Sequence, residues 1–250
     1  MRFLLLLVVF VNAGHLAAQT VDSTAVDPCQ FKVDEKLITK EVPGIRHPGM
    51  RMRNLVIPLS LITYGVISQA SEDMREFDVN IKSIARKDAD FHTTIDNYLQ
   101  YAPGLSVYAL NAAGIKGKNN FRDRTTIYLL SNLIMGIAVQ SIKKATKEVR
   151  PEGYRRNAFP SGHTATAFAG AEFLRQEYKD VSPWYGIAGY AAATTTGILR
   201  IYNNKHWFRD VVAGAGFGIL ATEAAYCLEP VIARKLFHRK TKYHFDPASF

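Results

Sequence analysis

Two cysteines in 250 residues, Cys29 and Cys227, are too few for a disulfide framework. Cys29 sits in a polar N-terminal stretch and Cys227 near the end of an apolar run, so both read as unpaired thiols. No cluster of Cys, His and Asp near the chemistry-bearing runs has metal-ligand spacing, and there is no zinc-finger spacing or RNA-binding signature. Internal repeats and low-complexity segments are also lacking, which excludes solenoids and disordered linkers. The composition is 48% hydrophobic and 21% charged, enough apolar material for one good-sized domain and too much for a disordered chain. The formal net charge of +9 calls for anionic partners. Without nucleic-acid motifs, phosphate esters and anionic lipids fit that charge better than nucleic acid.

The N-terminus reads as an export signal. Arg2 supplies the positive start, Phe3 to Val11 the apolar core, and Leu16-Ala17-Ala18 a cleavage site, giving a signal peptide over 1–18. That core falls short of the roughly 20 residues that cross a bilayer comfortably. An uncleaved anchor or a buried terminus are the plainer alternatives. Residues 19–53 form a polar lead-in with Pro28, Pro43 and Pro48. From 54 to 250 apolar runs alternate with charged connectors. The runs are Leu55–Gln69, Tyr101–Ile115, Thr125–Ile142, Thr164–Leu174, Trp184–Leu199 and Val211–Leu228. They are rich in Ala, Gly, Leu and Ile and alternate poorly, which predicts an all-α bundle of about six helices. Gly170, Gly186, Gly189, Gly214, Gly216 and Gly218 permit close helix approach, as in membrane bundles. A soluble helical core with small residues at its crossings has the same composition. The fold expectation is a helical bundle embedded in a membrane, with its active site at one end.

Three short runs carry the chemistry: Lys143-x6-Arg150-Pro151, Pro160-Ser161-Gly162-His163, and Arg200-x5-His206-x3-Asp210. Lys143 and Arg150 are seven apart, near two helical turns, which would put them on one face with Pro151 ending the helix. A solvated basic face is the bland reading, since Lys144 and Lys147 lie there too. Ser161 is a good N-cap for the run that follows, and the free N–H groups behind it favour an anion. An ordinary cap with an incidental His163 is the alternative. Arg200 offers a planar fork for two oxyanion oxygens. His206 and Asp210, four apart, are neighbours on a helix; alone, such a pair is more often a surface ion pair. In an up-and-down bundle the three runs share one end.

Together the three runs closely resemble the signature of the type 2 phosphatidic acid phosphatase superfamily, and in the same order. The resemblance covers about the last half of the chain. It implies a hydrolase that needs neither metal nor cofactor. By resemblance His206 is the nucleophile, Asp210 its orienter and His163 the general acid, with Lys143, Arg150, Ser161, Gly162 and Arg200 on the phosphate. Leu199 departs from the pattern, which usually has Ser there; a changed environment around Arg200 is expected, with the chemistry kept. The short spacer from Pro151 to Pro160 leaves no room for a subdomain over the site.

The implied substrate is a phospholipid or lipid-linked phosphate in a bacterial envelope, with no obligate protein partner. Lipid A, undecaprenyl diphosphate, phosphatidylglycerol phosphate and phosphatidic acid are the candidates, and the lipid A branch is the most similar. A soluble periplasmic acid phosphatase and a non-catalytic anionic-lipid binder are the rivals. The basic connectors Lys116–Arg124 and Arg175–Asp180 and the tail Arg234–His244 would face the cytoplasm, and the site the periplasm, from the inner membrane. Six spans would then place the segment before Leu55 in the cytoplasm, against a cleaved export signal, so the number of spans stays open. His92, Asp96 and Tyr98 read as a loop or helix start, Asp123 as a solvated partner of its flanking arginines, and Trp184 and Tyr185 as interfacial anchors. Trp207 shapes the mouth of the site or simply packs.

Overall fold

A computed structural model describes residues 52–85 and 92–237. The export signal, nearly all of the polar lead-in, Cys29 and most of the basic tail lie outside the described residues. Among the described residues there are eight helices and no strand: α1 (Met52–Ala70), α2 (Glu72–Ala85), α3 (Ile95–Leu99), α4 (Ala102–Ala112), α5 (Phe121–Thr146), α6 (Gly162–Tyr178), α7 (Pro183–Tyr202) and α8 (Phe208–Phe237). Each of the six apolar runs lies largely or wholly in one of them, and the expected all-α bundle is present. Two helices were not expected: α2, in a charged stretch, and the one-turn α3.

Helix α6 is the central element, packed on α4, α5, α7 and α8. Its alanines at 165, 167, 169 and 171 are buried, followed by Phe173, Leu174 and Tyr178. Small side chains bring α8 in close: a Cβ on Gly214 would lie 2.6 Å from the Ser161 carbonyl oxygen. A second close crossing joins α6 to α4, where a Cβ on Gly170 would lie 2.8 Å from the Gly104 nitrogen. Larger residues at these crossings would push the helices apart.

A buried polar network ties the middle of the bundle. Glu172 accepts from Arg175 Nε at 2.8 Å, from Gln176 at 2.9 Å and from the Tyr190 hydroxyl at 2.5 Å. Gln176 also donates to Glu223 at 2.8 Å, and Asn54 donates to both Glu223 oxygens. Four helices, α1, α6, α7 and α8, are thereby joined.

The outer surface is apolar in stripes. Leu129, Leu133 and Ile137 are exposed along α5, and Trp184, Ile187 and Ile198 along α7. Among the described residues two helical stretches, Phe121–Thr146 and Phe208–Ala233, are long and apolar enough to cross a membrane; α1 with α2 makes a third if that pair, bent by 103°, is one span. The run from Tyr101 gives the shortest of the six helices that carry the apolar runs. It forms a helix of 11 residues, roughly 16 Å at 1.5 Å per residue, about half a hydrocarbon core.

Three local expectations are corrected or sharpened. Asp123 is buried, not solvated; Asn120, the N-cap of α5, takes its N–H at 3.0 Å and donates to its carboxylate at 2.8 Å. Tyr185 is half-buried rather than free at the surface: it turns onto Tyr178, with ring centroids 5.2 Å apart, while Trp184 is exposed. Lys143 and Arg150 do not share a helix. The α5 helix ends at Thr146 because Lys147 takes the left-handed conformation, φ 48°, with its N–H on the Lys143 carbonyl. Arg150 follows in a turn, where its place before Pro151 disfavours helix.

Candidate active site

All three motifs meet at one end of the bundle. Lys143 comes from the last turn of α5, Ser161 and His163 from the start of α6, Arg200 from the last turn of α7, and His206 and Asp210 from the α7–α8 junction. Arg150 enters from the loop after α5, in which its N–H is held by the Arg155 carbonyl at 2.9 Å. That loop is short and folds on itself, with no subdomain between Pro151 and Pro160.

Ser161 caps α6 as expected, with φ −71° and ψ 115° and its side chain accepting from the Thr164 N–H. Its own N–H donates to the Asp210 carbonyl at 2.9 Å, so the second and third motifs are hydrogen-bonded to each other. A Cβ on Gly162 would meet only Val139, at 3.9 Å, leaving the space beside this helix start open to a ligand.

His206 is 2% exposed and Asp210 fully buried. His206 Nδ1 lies 3.4 Å from Asp210 Oδ2. The same carboxylate oxygen accepts the Trp207 N–H at 2.9 Å, which pins it. A proton on Nδ1 faces Asp210 and leaves Nε2 with its lone pair, the arrangement of a nucleophile. Arg200 gives Nη1 to Asp96 at 2.6 Å, and its Nε is buried without a hydrogen-bond partner. Arg150 Nε is in the same condition. Lys143 Nζ is held by the Asn157 carbonyl at 2.5 Å.

Like charges are crowded at this end. Burial, and then the charge of Arg200, pulls the Arg150 guanidinium below its ordinary range. Burial, and then Arg200, pulls His163 down to about 4. Burial, followed by Lys143, Arg200 and Arg150, pushes His206 well below the usual imidazole value. A tetrahedral oxyanion fits such a cluster, where it would meet three cations, two of them with orphaned Nε donors, helix N–H groups and two imidazoles.

Residues 124–232 match the PAP2 superfamily model. The chain carries a PAP2 superfamily domain. It is 35% identical over 235 residues to the Lipid A 1-phosphatase of Porphyromonas gingivalis, covering 93% of this chain and 51% of that protein. It is 30% identical over 138 residues to Lipid phosphate phosphatase 1 of Arabidopsis thaliana, covering 40% of this chain and 42% of that protein. The chain thus spans about half the length of the curated relatives it matches. Among solved structures, the first transmembrane PAP2 type phosphatidylglycerolphosphate phosphatase from Bacillus subtilis matches with a TM-score of 0.50 and 23% identity, over 71% of this chain and 98% of that one. That is a likeness of fold.

The residues that the motifs single out all lie inside the PAP2 stretch. Part of their support does not. Asp96, expected as no more than a loop or helix-start residue, does open α3, but it is buried and salt-bridged to Arg200. Asn203 joins this contact, donating to Asp96 at 3.2 Å and to the Thr93 carbonyl at 2.8 Å. Arg200 is thus held from another helix, and Leu199, half-buried beside it, leaves that contact intact. Asn97, the next residue, lies 3.0 Å from His163 Nε2. Arg209 was also missed; it binds Asp78 of α2 and, at 2.6 Å, Glu148. Trp207 packs at the rim, with its indole N–H on the Val149 carbonyl at 3.0 Å and Lys82 Nζ over its ring at 5.2 Å. No single-residue signal marked Asp96, Asn97 or Arg209, whose partners are distant in sequence.

Proposed function

We propose that the protein is a phosphatase that removes a phosphate group from a membrane lipid by way of a phosphohistidine. The observation that supports this best is the convergence of buried His206, carboxylate-backed by Asp210, with Lys143, Arg150 and Arg200, the two arginines each keeping a buried Nε without a hydrogen-bond partner. His206 Nε2 attacks phosphorus in line with the leaving oxygen. As the P–O bond breaks, His163 gives that oxygen a proton. Lys143, Arg150, Arg200 and the backbone N–H groups that follow Ser161, from Gly162 on, hold the non-bridging oxygens, where negative charge must be stabilised in the transition state. Asp210 stabilises the imidazolium. Water then attacks the phosphohistidine, His163 takes its proton, and inorganic phosphate leaves. The three cations supply the charge neutralisation that a metal provides elsewhere, so the reaction proceeds with EDTA present.

A lipid substrate is supported by the apolar stripes of α5 and α7 and by the two candidate spans. The 35% identity over 93% of the chain to a Lipid A 1-phosphatase makes lipid A the first substrate to test. The connectors around Lys118 and Glu177, hydrogen-bonded to each other at 2.9 Å, lie at the end of the bundle away from the site. Their basic residues favour a cytoplasmic position, with the site on the periplasmic side of the inner membrane.

The test is phosphate release by purified protein in detergent and EDTA from lipid A, undecaprenyl diphosphate, phosphatidylglycerol phosphate, phosphatidic acid and an aryl phosphate. EDTA-resistant release from a lipid, lost in His206→Ala, is expected. Preference for the soluble ester would replace the lipid reading with a broad acid phosphatase. Release by His206→Ala at the wild-type rate would overturn the phosphohistidine.

A further inference from the structure

Outside the PAP2 stretch, one turn of helix delivers two side chains to the site. In α3, Asp96 takes Arg200 and the neighbouring Asn97 takes His163. The two contacts differ in kind. Asp96–Arg200 is a buried ion pair, with side chains 1% and 8% exposed. Asn97 is exposed and His163 half-buried, so a hydrogen bond between them has water as a ready competitor and adds little to stability. A contact of that sort, kept at 3.0 Å on a histidine of the site, has its use in what it does to the imidazole.

We propose that Asn97 is a positioning residue for His163: its carboxamide oxygen holds the Nε2–H, which leaves Nδ1 as the nitrogen that gives the proton to the leaving oxygen. The inference rests on the phosphatase reading above and deepens it. When the site is charged for turnover, both ring nitrogens carry protons. Nε2–H stays on Asn97 while Nδ1–H passes to the leaving oxygen as the P–O bond breaks. The neutral imidazole then takes a proton at Nδ1 from the water that attacks the phosphohistidine. Proton gain and loss occur at one nitrogen, and the ring does not have to turn over between the two half-reactions.

A neutral amide also suits the surroundings. His163 faces Arg200 from α7, Arg150 from the loop, Lys143 from α5, His206, and Asp96 beside Asn97. A carboxylate in place of the amide would hold the imidazolium too tightly to release its proton. Asn97 fixes the direction of the ring and adds no charge.

Two measurements decide the matter. The first compares Asn97→Ala with wild type on a lipid phosphate and on p-nitrophenyl phosphate, whose leaving group departs without a proton. The expected result is a fall in kcat of about 10-fold or more on the lipid, with KM little changed, and under about 3-fold on the nitrophenyl ester. Asn97→Asp is expected to carry the basic limb of the pH profile upward on the lipid. An equal loss on both esters, or no loss on either, would overturn the proposal. The second needs no turnover: nitrogen NMR of His163 in the folded, detergent-solubilised protein. The expected neutral tautomer in wild type is Nε2–H, turning into a mixture in Asn97→Ala. An Nδ1–H tautomer in wild type, or one unmoved by the substitution, sinks the assignment. Failure of the phosphatase reading looks different, because wild type would then release no His206-dependent phosphate while the tautomer could still be read.

Discussion

Two buried polar clusters sit in the same bundle and are built on opposite terms. In the mid-bundle network of Glu172, Arg175, Gln176, Tyr190 and Glu223, each group has a partner, and opposite charges alternate with neutral donors. At the motif end Lys143, Arg150 and Arg200 repel one another, and Arg150 Nε, Arg200 Nε, His206 Nδ1 and Asp210 Oδ1 are buried with no hydrogen-bond partner. The first cluster is complete and serves the fold. The second carries an excess of cationic donors without partners, which suits an oxyanion and supports reading it as the site. Motif residues alone would not separate the two clusters, since both hold arginines and carboxylates.

The largest effects should fall on turnover at the cationic cluster. His206→Ala is expected to lower kcat by about four orders of magnitude or more, because the covalent route is lost. Asp210→Asn should cost about 10³-fold by turning the imidazole to the wrong tautomer. Arg150→Gln should cost about 10²-fold, as loss of one oxyanion donor does, while raising the melting temperature of the ligand-free protein, since a mutually repelling cation is gone. Substitution in the complete cluster should do the reverse. Glu172→Gln is expected to destabilise by about 1–3 kcal/mol in thermal melts, with kcat of the folded protein near wild type. If Arg150→Gln melts lower and Glu172→Gln turns over slowly, the division of labour between the clusters is wrong.

The sequence showed the two clusters unequally. The motif residues stand at fixed spacings, and spacing is a local property, so Ser161, His163, Arg200, His206 and Asp210 could be picked out before any fold was known. The six apolar runs were legible for the same reason, each forming one helix. What stayed hidden depends on distant partners. Glu172 and Glu223 are 51 residues apart and share Arg175 and Gln176. Asp96 meets Arg200 across 104 residues. The charged stretch that became α2 showed no apolar run, because one of its roles is to bring Asp78 to Arg209. Arg150 was misjudged for a smaller reason: seven residues from Lys143 suggests two helical turns, and a left-handed Lys147 breaks the helix between them.

The smallest predicted effect reads the crowded cations directly. Burial and three cations keep His206 neutral well below the ordinary imidazole value. The unfolded chain takes up a proton on this residue below about pH 6.5 and the folded chain does not. Unfolded protein therefore binds more protons in that window, and stability falls as pH is lowered from about 6.5, by at most about 1.4 kcal/mol per pH unit from this group. His163, held down to about 4 but only half-buried, adds a smaller share once solvent screening is allowed for. Inorganic phosphate or vanadate in the site offsets the cations and lets the imidazoles accept protons in the folded state. The expected result is a melting temperature that drops between pH 6.5 and 5, drops less with phosphate present, and drops less in His206→Gln than in wild type. The same treatment of Glu172→Gln should leave the phosphate effect intact, because the mid-bundle cluster offers an anion no unpaired cationic donor. A phosphate effect that survives Arg150→Gln and Arg200→Gln together would mean that the anion is held elsewhere.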